Sequence, residues 1–198
     1  MGWVSYVMIL GQDFDRVDSY KEAVIRGYEQ TNSGTWYHLI PMLQAAGLAL
    51  EDCFFTNFFM GVRRSKKATG LCPGARDPGF VKECGQFLSE QIREQRPRLI
   101  IVLGIIVPRF LARTNPASEV SRWAKCDTFP KIDATAVGPL IKQARFGASD
   151  SRTVATVAVV VHPSYRPANL WRRQYVGLRG EEAERQLLKD ALCASGLG

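Results

Sequence analysis

Four short apolar runs, Val4–Leu10, Cys53–Phe59, Leu99–Leu103 and Val154–Val161, constrain this chain more than any other feature. They are rich in β-branched or aromatic residues and nearly continuous rather than alternating. That is the pattern of parallel strands covered on both faces. Between them the apolar residues recur at helical spacing. Tyr37, Leu39, Ile40, Leu43 and Leu48 trace one stripe that ends near Gly47. Phe80, Val81, Cys84, Phe87, Leu88 and Ile92 trace another from Gly79 to Arg96, with Pro97 as its stop. Val107–Arg113 reads as a shorter helix. Glu181–Ala194 reads as a terminal one, with early acids and the stripe Ala183, Leu187, Leu188, Ala191 and Leu192. Strands alternating with helices predict an α/β fold, a three-layer α/β/α sandwich around a central, four-stranded, mainly parallel sheet. The segment Asn115–Arg152, broken by Pro116, Pro130, Gly138 and Pro139, shows no readable pattern.

A chain of 198 residues is long enough for one domain with a sizeable core, so residues 1–198 are expected to form a single domain without disulfide or metal staples. The five cysteines, Cys53, Cys72, Cys84, Cys126 and Cys193, have no close pair, and there are only two histidines. Zinc and iron–sulfur sites need shorter ligand spacings, so no metal and no cofactor is expected. The odd cysteine count argues against a secreted disulfide framework. No run reaches the ~18 apolar residues of a membrane span, and no signal peptide is evident. The chain therefore reads as cytoplasmic, with no membrane partner. Its formal charge of +7 favours an anionic partner such as nucleic acid. The loop Gly61–Gly79 concentrates part of that charge in Arg63, Arg64, Lys66, Lys67 and Arg76. Such a run is a DNA track if it lies beside a site, and a solvated face otherwise.

In open parallel sheets ligands bind beyond the carboxyl ends of the strands. The first strand delivers Gly11-Gln12-Asp13-Phe14-Asp15 there, the second Thr56 and Asn57, the third Gly104, and the last His162-Pro163-Ser164-Tyr165-Arg166. Asn57 is flanked by phenylalanines, and an unpaired buried amide costs about 1–3 kcal/mol, so it needs a specific partner. An amide's adjacent donor and acceptor suit the edge of a nucleobase, or else cap a neighbouring backbone. Asp13 reads either as a reactive carboxylate or as a helix cap. His162 reads as a reactive or a structural imidazole.

The three segments Gly11-Gln12-Asp13, Asn57 and His162-Pro163-Ser164, in this order and each at a strand end, resemble the uracil-DNA glycosylase superfamily from about Val4 to Leu192. Gly34-Thr35-Trp36 through Ala46-Gly47-Leu48 and Phe55-Thr56-Asn57 are similar to its iron–sulfur branch, whose cluster cysteines are missing here. His162 through Trp171 looks more like the single-strand-selective branch. The resemblance implies a monofunctional DNA glycosylase of base-excision repair that flips uracil out of single- or double-stranded DNA and releases it as the free base, working as a monomer. Under it, Asp13 stabilises the cationic sugar and handles the attacking water, and His162, as neutral imidazole, stabilises the departing base. Gln12, Asn57, Phe14 and Tyr28 form the uracil pocket, with Trp36 as a rival stacking residue to Phe14 and Tyr28. Ser164, Tyr165, Arg166 and Arg63 meet DNA, with Arg166 as a wedge in the base stack or as a phosphate contact. Where the best-known branch has proline and tyrosine after Gly-Gln-Asp, this chain has Phe14 and Asp15, so thymine exclusion is unexplained and Asp15 is expected to hold water or an ion pair. Other readings are a glycosylase for hypoxanthine or xanthine, a non-catalytic binder of uracil or abasic DNA, and a nucleotide-binding protein that lacks the usual Gly-rich loop.

Overall fold

The structure is a computed structural model that describes residues 6–32, 34–64, 69–147 and 152–198. Lys66 and Lys67 of the basic run, and the start of the first apolar run, lie outside the described residues.

The strands are β1 (Val7–Gly11), β2 (Cys53–Asn57), β3 (Leu99–Leu103), β4 (Leu140–Phe146) and β5 (Thr153–Val160), in the order β2-β1-β3-β5-β4. The four strands marked by the apolar runs pair in parallel, as expected. The sheet has one strand more than the sequence pattern marks. It is β4, which runs antiparallel along the outer edge of β5. Its register slips between Ile141 and Ala144, so Lys142 and Gln143 both face solvent and the alternation that betrays a strand is lost.

Helices α1 (Val17–Arg26), α2 (Gly34–Ala45), α3 (Pro78–Gln95), α4 (Val107–Thr114), α5 (Phe129–Asp133), α6 (Arg166–Asn169) and α7 (Gly180–Ser195) complete the order, with a small hairpin, β6 (Gln174–Tyr175) and β7 (Leu178–Arg179), ahead of α7. Alternate strand residues feed two separate cores. Val7, Ile9, Leu99, Ile101 and Val160 face α2 and α7 through Leu39, Leu43, Leu187 and Ala191. Met8, Leu10, Ile100, Val102 and Val159 face α3, α4 and the Trp123 segment through Leu88, Ile92, Phe110 and Leu111. The two cores lie between the sheet and the two outer layers of the sandwich, and together they bury these strand residues.

Local signals set the helix ends. Asp77 accepts hydrogen bonds from the Gly79 and Phe80 amides and Pro78 opens α3, while Arg96 in the left-handed region closes it. Helix α1, unmarked by any sequence stripe, buries none of its residues, and Tyr20, Val24 and Ile25 point to solvent. It follows directly on the Gly11–Asp15 turn.

Candidate active site

β1 lies between β2, which follows it in the chain, and β3, which comes next. The chain therefore reverses direction across the sheet at β1, and the crevice at its carboxyl end is where such sheets hold ligands. Gln12 and Asp13 occupy that end. Across the register, Asn57 faces Gly11. A Cβ on Gly11 would lie 2.3 Å from Asn57 Oδ1, so a glycine is what lets the half-buried amide lie against β1.

The Asp13 carboxylate is anchored through one oxygen. Its Oδ2 accepts from Arg63 Nε at 2.9 Å, stands 2.6 Å from Arg63 Nη2, and takes a longer bond from Gln12 Nε2 at 3.3 Å. Neither Arg63 nor Gln12 touches Oδ1. Arg63 in turn donates to the Thr69 and Gly70 carbonyls, and Gln12 Nε2 donates to Gly70 as well. Gln12 Oε1 is buried without a partner among the described residues. Burial pushes the nearby Cys72 thiol above its ordinary value of 9.0; the Gly74 backbone and the Arg63 charge oppose the rise, and the Asp13 carboxylate adds to it through its charge and a side-chain hydrogen bond. Asp15 sits at φ 58°, in the left-handed region, and its carbonyl accepts the Arg63 amide at 2.7 Å. One Asp15 carboxylate oxygen is buried and without a hydrogen bond among the described residues, with Arg16 3.9 Å away. The expectation that Asp15 holds an ion pair thus meets only a long one.

His162 leaves β5 two strands from β1, roughly 10 Å at a strand spacing of ~4.8 Å. Gly104, at the end of β3 between them, donates its amide to Val160 at 2.8 Å, and a Cβ there would sit 3.0 Å from that of His162. A side chain on Gly104 would therefore press on His162. His162 Nδ1 is buried without a partner among the described residues. Burial pulls the imidazole below its ordinary value of 6.5, and the charge of the Asp13 carboxylate works against that pull. The tyrosine ring of Tyr165 leans on the imidazole with centroids 5.6 Å apart. The Ser164 and Thr35 hydroxyls share a hydrogen bond of 3.1 Å, at the edge of a cavity of about 410 Å³ that Asn32, Tyr37 and His38 also line.

Two arginines depart from the sequence expectation. Arg63 does not face DNA: it is 3% exposed because Asp13 and two carbonyls draw it inward. Arg166 is not free to act as a wedge: its guanidinium is paired with Glu184 and, at 2.8 Å, with Glu181. Of the Arg172-Arg173 pair, Arg172 is exposed and stacks on the outward-facing Trp171, whereas Arg173 is fully buried between Asp133, Glu184 and the Phe129 ring. Among the aromatics, Trp36 packs edge-on against Phe55 in the core, Phe14 is exposed, and Tyr28 stands 66% exposed with Arg26 beside its ring.

Two important residues escaped sequence reasoning. Arg63 as the partner of Asp13 has no local signal, since the two are 50 residues apart. Glu184 had one: it is an acid set on the apolar stripe of α7. Its side chain is buried and accepts the Val161 amide at 2.9 Å, which fixes the residue before His162. Burial raises the Glu184 carboxyl, and the Val161 amide, Arg173 and Arg166 oppose the rise.

Chemically, these strand ends offer a carboxylate anchored through one oxygen, a partly buried imidazole two strands away, and an amide alongside. That set suits a reaction in which positive charge grows on one fragment and negative charge on the other. Among the described residues no group of three or more His, Cys, Asp or Glu could hold a metal, and no helix is long and apolar enough to cross a membrane. Comparison with curated proteins finds no match. The family model of the uracil DNA glycosylase superfamily matches residues 5–190, which takes in both walls of the crevice and the Asn57 strand. A match over nearly the whole chain, with the three-layer fold to go with it, settles the family: the chain belongs to the uracil-DNA glycosylase superfamily, the DNA glycosylases that hydrolyse base–sugar bonds in DNA repair.

Proposed function

We propose that this DNA glycosylase removes uracil, flipped from DNA into the crevice between Asp13 and His162. The bond from the sugar C1′ to the base N1 breaks and its electron pair leaves with the base. Water oxygen then adds to C1′ and its proton passes to Asp13 or solvent, while the uracil anion takes up a proton from solvent, giving free uracil and an abasic site. Asp13 Oδ1, the oxygen that Arg63 and Gln12 leave untouched, faces the positive sugar and the water. His162, held neutral by burial, donates a hydrogen bond to the uracil oxygen that gains charge. A group of this kind is typically worth about 10²–10³ in rate. Asn57 reads the base edge and disfavours cytosine, whose amine reverses one donor–acceptor pair. On the DNA side, Ser164, Thr35 and Tyr165 are surface groups close to His162, and the exposed Trp171–Arg172 stack follows on the same segment.

The observation that carries this reading is the pairing of one anchored acid with an imidazole whose Nδ1 is buried and without a partner among the described residues, at the ends of β1 and β5 with Gly104 on the strand between them. The test is incubation with uracil-containing oligonucleotides followed by alkali cleavage of abasic sites. Strand breaks are expected with the wild type, and Asp13→Asn is expected to lower the rate by ~100-fold or more. Intact strands at high protein concentration would overturn the reading. Binding without base release, unaffected by Asp13→Asn, would mark a non-catalytic binder instead. The panel includes hypoxanthine and xanthine, because Phe14 and Asp15 make the first motif unusual.

A further inference from the structure

We infer that Arg63 is the positioning residue of the active-site carboxylate, a role that rests on the reading just given. Arg63 is bound to the Gly11–Val17 segment twice over. Its backbone amide donates to the Asp15 carbonyl at 2.7 Å and its carbonyl accepts the Val17 amide at 2.9 Å, so its main chain runs beside Arg16 as a short parallel bridge. Its guanidinium then reaches back to Asp13 through both Nε and Nη2. The remaining nitrogen, Nη1, donates to Thr69, and Nη2 also donates to Gly70. A guanidinium has five N–H donors in a rigid fork, and nearly all of them are spent here, which leaves too few for a two-point grip on a phosphate.

The clamp acts on one oxygen only. Arg63 and Gln12 both converge on Asp13 Oδ2, and Gly70 ties Arg63 and Gln12 to each other through one carbonyl. With Oδ2 fixed, rotation of the carboxyl group about its last bond is blocked and Oδ1 keeps a single direction. Arg63 therefore does not touch the substrate. It decides which oxygen of Asp13 does, and the loop that carries Thr69 and Gly70 belongs to the same apparatus. A lysine would restore the charge at this place but not the two-point grip.

The experiment measures single-turnover base release from a uracil-containing oligonucleotide at saturating enzyme, together with affinity for an oligonucleotide bearing an abasic-site analogue. Arg63→Gln is expected to slow release by ~30- to 100-fold, the usual effect of misplacing a reacting group, while affinity changes by less than about 3-fold. In an Asp13→Asn background the same substitution is expected to add nothing beyond about 3-fold, because two residues acting through one contact are not additive. Arg63→Lys is expected to fall between wild type and Arg63→Gln, and guanidinium ion is expected to restore part of the Arg63→Gly rate. An unchanged rate in Arg63→Gln, an affinity loss as large as the rate loss, or a further full-sized loss on top of Asp13→Asn overturns the inference. If Arg63→Gln loses its cooperative melting transition, Arg63→Lys decides: an intermediate rate supports the role and a wild-type rate overturns it. Wild-type enzyme that releases no uracil overturns the functional reading, and the inference falls with it. Active wild type with an indifferent Arg63→Gln overturns the inference alone.

Discussion

His162 is one of two histidines in the chain, and the other, His38, lies on α2 against Tyr37. The pair makes a convenient comparison, because only His162 combines burial with a ring nitrogen that has no partner among the described residues. Burial favours the neutral ring, so between its folded value and the ordinary 6.5 the unfolded chain carries a proton there that the folded chain lacks. Stability must then rise with pH across that window and fall as the solution is acidified through it. An NMR titration of the imidazole resonances is expected to show His162 titrating below 6.5, and titration at or above 6.5 would contradict the buried, neutral ring. The same direction applies to base release: any acid limb that disappears in His162→Asn should lie below that value.

Between elements, the contact that matters most is the one between β1 and β2. Gly11 and Asn57 are register partners, and Gly11→Ala drives a methyl group to within 2.3 Å of Asn57 Oδ1. The amide must then swing away. The expected result is loss of discrimination between uracil and cytosine, together with a ~10- to 100-fold slower release of uracil. Competition assays with both bases check this, and wild-type selectivity in the Gly11→Ala enzyme would count against Asn57 as the reader. The strand ends that carry Asp13, Asn57 and His162 were legible because continuous apolar runs announce buried strands and their polar successors stand out. β4 was not, because its bulge puts two neighbouring polar residues on one side and destroys the period. α1 was not, because a helix that buries nothing has no stripe to read. Arg63 looked like a DNA contact because composition reports charge but not direction, and Arg166 because of its place in the last motif of the resemblance; both turn inward to carboxylates that come from other parts of the chain.

At the scale of the molecule, a chain of buried charges stands behind the His162 segment. Arg166, Glu184, Arg173 and Asp133 are linked in sequence, and Arg173 also donates to the Val159 carbonyl at 2.9 Å. Such a set stays ionised only while complete, and removing one member strands the others in a place with little water. Glu184→Gln is expected to cost about 3–5 kcal/mol, which lowers Tm by roughly 6–20 °C for a protein of this size. Calorimetry or thermal circular dichroism checks it. A melting point within about 2 °C of wild type would mean that the two arginines find other partners.

The hydrogen bond from Val161 to Glu184 also has a bearing on how the enzyme is made. The glutamate that steadies the imidazole segment lies on the final helix, while the acid opposite arrives with the first strand. A nascent polypeptide still short of α7 has its oxygen wall in hand and its nitrogen wall loose. On the proposed roles of Asp13 and His162, base release is expected only once α7 has been made and has docked.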